Sequence, residues 1–450
     1  MKVTIFGTGY VGLIAGACFA RAGHQVLCYD NDAHKIEELQ KGKKVIHEPG
    51  LDDLLSDAAT KQKLVFTANI HQALTFSDLY VLCIGTPQSP DGSADLRHLH
   101  AVVDEIGKQV DQPFFVIVKS TVPTGTVEAL RDRLQRQLDV RHLSYPFELA
   151  FIPEFLVQGN AIHSFTHADR LIIGSEGEAG FQRASSLYAP ITAPHDTPVL
   201  RMSIPSAELT KYAANAFLAM KISFVNELSR IAEITGADIE TTLQGMTLDK
   251  RIGPGASHPG CGFGGSCFPK DLEALIHLAE SHDYQSFLLQ AALNVNTAQR
   301  NHFINKILHY FNHRLDNKII ALWGLSFKPE TDDIREAVSC YIIQALLEAG
   351  ASIQAYDPVA TKNMQAKYPN QNNLRFVNSK EDALQNADAL VVVTEWEEFF
   401  DLNYSLLKTT MKNPVIFDGR NIYSPAKLEQ EGIEYFGIGY GIPIPQKTAV

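Results

Sequence analysis

The sequence predicts an α/β protein of two doubly wound parallel sheets, joined by a long central helix and a helical middle region. Three observations carry that prediction: a glycine-rich strand–turn–helix at the start, a helical pattern from about Pro205 to Thr235, and a second set of apolar strands beginning near Asn317. Short apolar runs alternating with helical segments suit parallel sheets, because each parallel pair needs a crossover connection.

The first element, "KVTIFGTGYVGLIAGACFARAGHQVLCYDND", reads strand, turn, helix, strand, with Gly7, Gly9 and Gly12 in GxGxxG spacing and Asp30 ending the second strand. In that fingerprint the first glycine makes the turn, the second admits a pyrophosphate to the backbone, and the third lets helix and strand pack. An acid at Asp30 accepts from ribose hydroxyls and favours NAD over NADP. Tyr10, Val11 and Lys35 fall within the same expected cofactor site. The domain is thus expected to be Rossmann-like.

At 450 residues, 45% hydrophobic and 20% charged, the chain has ordinary globular composition and room for two or three domains. Its net charge of −12 leaves no broad basic field, so neither nucleic acid nor an anionic membrane is an expected partner. No apolar run of about eighteen residues suggests a membrane span. With "MKVTIFGTGYVG" entering directly into a strand, a cytoplasmic protein is expected. Cys18, Cys28, Cys83 and Cys340 sit inside apolar strand or helix patterns and are expected to be reduced and structural.

Further strands are expected at "KLVFTAN", "LYVLCIGTP", "FFVIVKSTV" and "ELAFIPEF". Ligands of such sheets bind beyond the carboxyl ends of the strands. Gly85, Thr86 and Pro87, then Ser120 and Thr121, then Pro153 and Glu154 occupy those ends. The central helix follows, apolar on more than one face and so expected to be buried between domains or subunits. Lys211 and Asn215, four residues apart, share one of its faces; a solvated lysine beside a capping asparagine is the alternative reading.

Next comes the glycine-rich "TLDKRIGPGASHPGCGFGGSCFPKDLEAL", which places Cys267 at an expected helix start, with Pro269 and Asp271 in the first turn. Backbone N–H groups there favour a thiolate. A structural zinc site on His258, Cys261 and Cys267 lacks the paired-cysteine spacing usual for zinc, and no metal is expected. The second sheet starts at "NKIIALWGLSFKPETDDIREA", read as strand, turn and helix without the glycine fingerprint, and continues through "ASIQAYDP", "ALVVVTEW" and "NPVIFDGRNIY". Lys328, Arg335 and Arg420 could bind a phosphate there by charge. The expected domains are 1–203, 204–312 and 313–450.

A nicotinamide site, a phosphate site and a reactive thiol together suit oxidation of a phosphate-bearing alcohol through a covalent step. A thiolate adds to an aldehyde, the adduct gives up hydride, and water hydrolyses the thioester. The motifs GxGxxG with Asp30, "GTP", "KSTVPTGT", "PEFL", "KYAANAF", "GFGGSCFPKD" and "FKPETDDIRE", in this order, resemble the nucleotide-sugar 6-dehydrogenases over nearly the whole chain. That resemblance implies oxidation of UDP-glucose to UDP-glucuronate with two NAD and one water, in a homodimer or higher homo-oligomer; GDP-mannose or a UDP-N-acetylhexosamine is the alternative substrate.

Carried over by position, the resemblance makes Cys267 the nucleophile. It gives Asp271 and Lys211 to proton transfer and oxyanion stabilisation, Asn215 to the same oxygen, and Thr121 and Glu154 to water for hydrolysis. Glu154, Phe155, Leu156, Gln158, Lys211, Asn215, His258, Phe263, Gly264, Phe327, Lys328 and Arg420 are implied to hold the sugar nucleotide, with Arg251 offered across a dimer interface. Gly85, Thr86, Pro87, Ser120, Thr121, Lys270 and Arg335 are implied to reach NAD. One departure stands out: many relatives carry a second glutamate where this chain has Gln158, and an amide cannot act as a base at neutral pH.

Overall fold

Strands with both faces covered, as in "VTIF", "FFVIV" and "LVVV", can only sit inside a layered α/β unit, and the computed structural model has two such units. It describes residues 1–43, 45–60, 62–255 and 258–440. The first unit takes Met1–Ala214 with Glu273–Asp283, the second Asn215–Leu272 with the chain from Tyr284 onward.

In the first unit the strands are β1 (Lys2–Phe6), β2 (Gln25–Tyr29), β3 (Leu64–Thr67), β4 (Leu79–Leu82), β5 (Phe114–Val118), β6 (Phe147–Phe151), β7 (Leu171–Ser175) and β8 (Val199–Met202). They form one sheet in the order β3-β2-β1-β4-β5-β6-β7-β8, parallel except where β7 runs antiparallel to β6. The strand order reverses direction between β1 and β4, and a crevice at that switch point is where a doubly wound sheet binds its ligand. Apolar residues of the helices close both faces, with Phe19 and Leu187 in one core cluster and Leu99 and Leu134 in the other.

In the second unit β9 (Ile319–Trp323), β10 (Ser352–Tyr356), β11 (Leu374–Phe376), β12 (Ala389–Val392), β13 (Val415–Asp418) and β14 (Glu434–Phe436) form an all-parallel sheet, ordered β11-β10-β9-β12-β13-β14. Its first turn copies that of the first sheet. Gly324, at φ +92°, donates its N–H to Tyr356 O at 2.9 Å, as Gly7, at φ +97°, does to Tyr29 O at 2.7 Å. Only glycine adopts this left-handed geometry without strain.

The helix expected to follow this turn, with Arg335 at its start, is present but begins a few residues later. The segment from Gly324 to Ala337 is an irregular loop, and the helix begins at Val338. Glu330 at φ +62° and Glu336 at φ +50° are left-handed, which no α-helix accommodates. Arg335 therefore lies on this loop, ahead of the helix start. The central helix spans Ile204–Thr235, within one residue of its expected start. All six cysteines are reduced thiols; Cys261 joins Cys18, Cys28, Cys83 and Cys340 as a buried one, and Cys267 is exposed.

Candidate active site

In the first unit a cavity of about 450 Å³ opens over the glycine turn, lined by Gly7, Gly9, Asp30, Lys35, Gly85 and Pro87, with Tyr29, Ile70, Cys83, His98, Val102 and Glu105 among the other walls. The three glycines differ in what forbids a side chain. A Cβ on Gly12 would stand 1.9 Å from Gly7 O, and one on Gly7 would stand 2.5 Å from Cys83 O. On Gly9 it would meet nothing within 4 Å, so the space over that residue is open to a ligand. Gly9 also caps the helix Tyr10–Arg21 without any side-chain cap bond, leaving N–H groups of the first turn for an anion. Tyr10 and Val11, half-buried, lead into that turn.

Asp30 accepts from Thr8 N at 2.8 Å, Thr8 Oγ1 at 2.7 Å and Lys35 Nζ at 3.1 Å. Burial works to raise its carboxyl, but the Thr8 and Asp32 hydrogen bonds and the Lys35 cation override that and hold it below the usual range. It stays ionised and ready to accept from hydroxyls. Cys83, in the same cavity wall, is pushed up to about 12 by burial and is chemically inert at neutral pH.

The strand ends beyond β4 and β5 meet, while the end of β6 is held to the central helix. Thr86 Oγ1 donates to Thr121 O at 2.7 Å, and Ser120 N donates to Leu82 O at 3.0 Å. Glu154 and Lys211, both buried, pair at 3.1 Å, and Leu156 N donates to Glu154 Oε2 at 2.6 Å. Burial would raise Glu154, but Lys211 and the Leu156 N–H hold it below the ordinary carboxylate range. Lys211 also lies 5.1 Å from the ring centre of Phe155. Gln158, two residues past Leu156, is half-buried.

In the second unit Cys267 immediately precedes the helix Phe268–Glu280, and Asp271 N donates back to Cys267 O at 2.8 Å. Asp271 is 1% exposed and divides its carboxylate: Asn215 Nδ2 donates to Oδ2 at 2.6 Å and Lys270 Nζ to Oδ1 at 2.5 Å. Asn215, Lys270, Asp271 and Cys267 are thus one cluster.

Glycines let the thiol loop lie against the 324–337 loop. Gly265 N donates to Arg335 O at 2.9 Å, a Cβ on Gly264 would stand 2.0 Å from Glu336 O, and one on Gly265 would stand 2.8 Å from the Phe327 ring. The Arg335 guanidinium is fixed by two hydrogen bonds to Asp333, and Cys267 lies within its electrostatic reach. Upstream, Cys261 N donates to Gly419 O at 2.8 Å, beside Arg420, whose guanidinium donates to Val393 O at 2.7 Å and Phe327 O at 3.3 Å. Arg420 and His258 line a cavity of about 1050 Å³ together with Glu395 and Asn421. Lys328 follows Phe327 on the same loop, half-buried. Arg251 is not drawn into this cluster; it is exposed and held by Asp249 at 2.6 Å.

Sequence reasoning missed the residues that shape the thiol loop. Asn296 clasps Phe263 through both N–H and carbonyl, at 2.8 and 3.1 Å. Gln299 donates to Gly260 O at 2.9 Å, and Asn226 accepts from Gly260 N at 2.9 Å. The available signal was a pair of amides three apart on a face of the helix Phe287–Tyr310 that also carries Ala292 and Phe303. Asp357 was missed too. Standing at the end of β10 as Asp30 does at β2, it has both oxygens taken up, Oδ2 by Leu325 N, Ser326 N and Trp396 Nε1 and Oδ1 by Val359 N and Ala360 N, so Asp357 is not the counterpart of Asp30 for a ribose.

Three family models match in order: the NAD binding domain of the UDP-glucose/GDP-mannose dehydrogenase family at residues 1–192, its central domain at 205–298 and its UDP binding domain at 321–425. The chain belongs to that family. It is 42% identical to the UDP-glucose 6-dehydrogenase of Pseudomonas aeruginosa over 98% of this chain and 97% of the relative. It is 39% identical to a UDP-glucose 6-dehydrogenase of Bacillus subtilis, covering 99% of each. Among solved structures, a UDP-glucose dehydrogenase from Pyrobaculum islandicum superposes with a TM-score of 0.88 at 34% identity, over 98% of both chains. A UDP-D-ManNAc dehydrogenase from Pyrococcus horikoshii superposes at 0.86 with 26% identity, over 99% of this chain and 100% of that one.

The family makes the chain an oxidoreductase with NAD as cofactor and a nucleotide sugar as substrate. The residues over the first turn fit NAD. Open space above Gly9 and a bare helix N-terminus suit the pyrophosphate, and ionised Asp30 suits ribose hydroxyls. No helix among the described residues is long and apolar enough to cross a membrane.

Proposed function

We propose that this chain oxidises UDP-glucose to UDP-glucuronate in two two-electron steps, with Cys267 as the covalent nucleophile. NAD, when bound, accepts the hydride in each oxidation. The first step removes a hydride and a proton from the primary alcohol. The Cys267 sulfur then bonds to the aldehyde carbon, and loss of a second hydride and proton from the adduct leaves a thioester. Water breaks the carbon–sulfur bond, returning the thiol and releasing the acid.

Lys211 holds positive charge against the developing oxyanion, and Asn215 donates to the same oxygen. Asp271, buried and already accepting from Asn215 and Lys270, is the proton carrier beside the thiol. Thr121 and ionised Glu154 position and deprotonate the hydrolytic water. Phe327, Lys328 and Arg420 hold the nucleotide, with Phe263, Gly264 and His258 on the loop that surrounds it. The observation that carries the reading is Cys267 itself: it is the exposed thiol of the six, set at a helix N-terminus next to the Asp271 cluster.

The substrate panel that tests this reading is UDP-glucose, UDP-N-acetylmannosamine and GDP-mannose. The likeness to the Pyrococcus horikoshii enzyme makes the second sugar the rival, and preference for it would move the specificity while keeping the chemistry. Lys328→Ala is expected to raise KM for UDP-glucose by about tenfold or more, as loss of a charge-assisted phosphate contact does, with a smaller change for NAD. An unchanged KM would remove Lys328 from the nucleotide site.

The functional regions in this reading are 1–203 for NAD, 204–312 for dimerisation and the thiol loop, and 313–450 for the sugar nucleotide. A homodimer is supported by the central helix, where Phe217, Phe224 and Ile231 are 58%, 51% and 51% exposed at seven-residue spacing. Two turns apart, they make one apolar stripe that a second copy would cover. Phe224→Asp with Ile231→Asp is expected to yield a monomer in light scattering. A protein still dimeric would place the interface elsewhere. A reduced nucleophilic thiol and an NAD-linked reaction suit the reducing cytoplasm.

A further inference from the structure

Glu48 belongs to none of the motifs assigned above, yet it is 5% exposed and its carboxylate is fully engaged within the first unit. It accepts from the Tyr10 hydroxyl, from Gly159 N at 2.8 Å and from Ala161 N at 2.6 Å, and Gly159 N also donates to the Tyr10 oxygen at 3.1 Å. Tyr10 is the first residue of the helix that starts at the NAD turn. Gly159, at φ +82°, closes the loop that begins with Glu154 and contains Phe155 to Gln158. Asn160 makes no side-chain cap for the short helix Ala161–Thr166, so the cap is supplied by Glu48 instead.

A carboxylate has acceptor sites for all three donors, while its only covalent tie is to a segment that carries neither loop. We propose that Glu48 is a positioning residue that locks the NAD turn, through Tyr10, to the Glu154 loop, through Gly159 and Ala161. The Glu154 half of this inference rests on the hydrolytic role given to Glu154 above; the Tyr10 half does not. Burial makes the lock expensive to lose, because a buried donor left without its acceptor forfeits its solvation.

Glu48→Gln keeps the shape and one acceptor oxygen but turns the other into a donor, so it cannot receive Tyr10 and Gly159 on one side and Ala161 on the other at once. The experiment titrates NAD into wild type, Glu48→Gln and Tyr10→Phe by calorimetry without sugar, then measures kcat at saturating NAD and UDP-glucose, with a thermal melt of each. Both variants are expected to bind NAD about tenfold more weakly, the scale of one lost bond to a charged group. Glu48→Gln is further expected to lose kcat by roughly 10²-fold, as a displaced catalytic loop does. A Glu48→Gln variant with wild-type Kd and kcat, whatever its melting temperature, would reduce Glu48 to scaffold and overturn the proposal. A weakened Kd with unchanged kcat would overturn the link to Glu154. Failure of wild type to oxidise UDP-glucose would instead sink the functional reading, and the NAD titration would still decide the hold on Tyr10.

Discussion

Replacement of Cys267 by serine is expected to lower steady-state NADH formation on UDP-glucose by roughly 10³-fold or more. A hydroxyl at neutral pH is a far weaker nucleophile than a thiol, and an ester at that position hydrolyses more slowly than a thioester. No neighbouring thiol can substitute, since the other five cysteines are buried, and burial pushes those at Cys18 and Cys83 up to about 12. The exchange alters one exposed atom, so the melting temperature should stay near that of wild type. A serine variant with more than about a tenth of the wild-type rate would exclude a covalent role for Cys267.

The second large effect separates two glycines of one motif. Gly12→Ala puts a methyl 1.9 Å from the Gly7 carbonyl oxygen, a backbone atom that cannot yield without opening the turn. Overpacking of this kind costs about 1–3 kcal/mol, and NAD binding should be lost with the turn. Gly9→Ala meets nothing within 4 Å and should unfold at the wild-type denaturant concentration. Its methyl stands where the pyrophosphate would come, so NAD affinity should still fall by about tenfold or more. Denaturant melts beside NAD titrations check both; a Gly9→Ala protein that binds NAD like wild type would mean that the cofactor does not approach that residue.

These effects follow from local rules, which is why the first turn was legible in advance. Gly7, Gly9, Gly12 and Asp30 lie within two strands and one helix, and each has a reason that refers only to its neighbours. Strands β7, β8, β11 and β14 were not read. β8 is largely exposed, β11 and β14 have three residues each, and the antiparallel pairing of β6 with β7 depends on partners distant in the chain. The end of the loop from Gly324 to Ala337 passed for a helix start because, after Gly324, its left-handed residues are glutamates, which carry no turn signal.

The candidate site divides the same way. Lys211 and Asn215 were visible as a helical pair, and Cys267 as a thiol at a helix start. The bond from Asn215 to Asp271 spans 56 residues, and no local pattern announces it. The amides that hold the thiol loop, Asn226, Asn296 and Gln299, look like ordinary polar residues until their burial is known. Glu48 is the extreme case: its partners lie at positions 10, 159 and 161, and only the fold brings them to one carboxylate.

The most direct test of the central claim is the amount of NADH formed per UDP-glucose consumed by the wild-type protein at completion. A thiol-dependent oxidation of alcohol through thioester to acid predicts two. A ratio of one, with an aldehyde as product, would make the protein a simple alcohol dehydrogenase and leave Cys267 without its role.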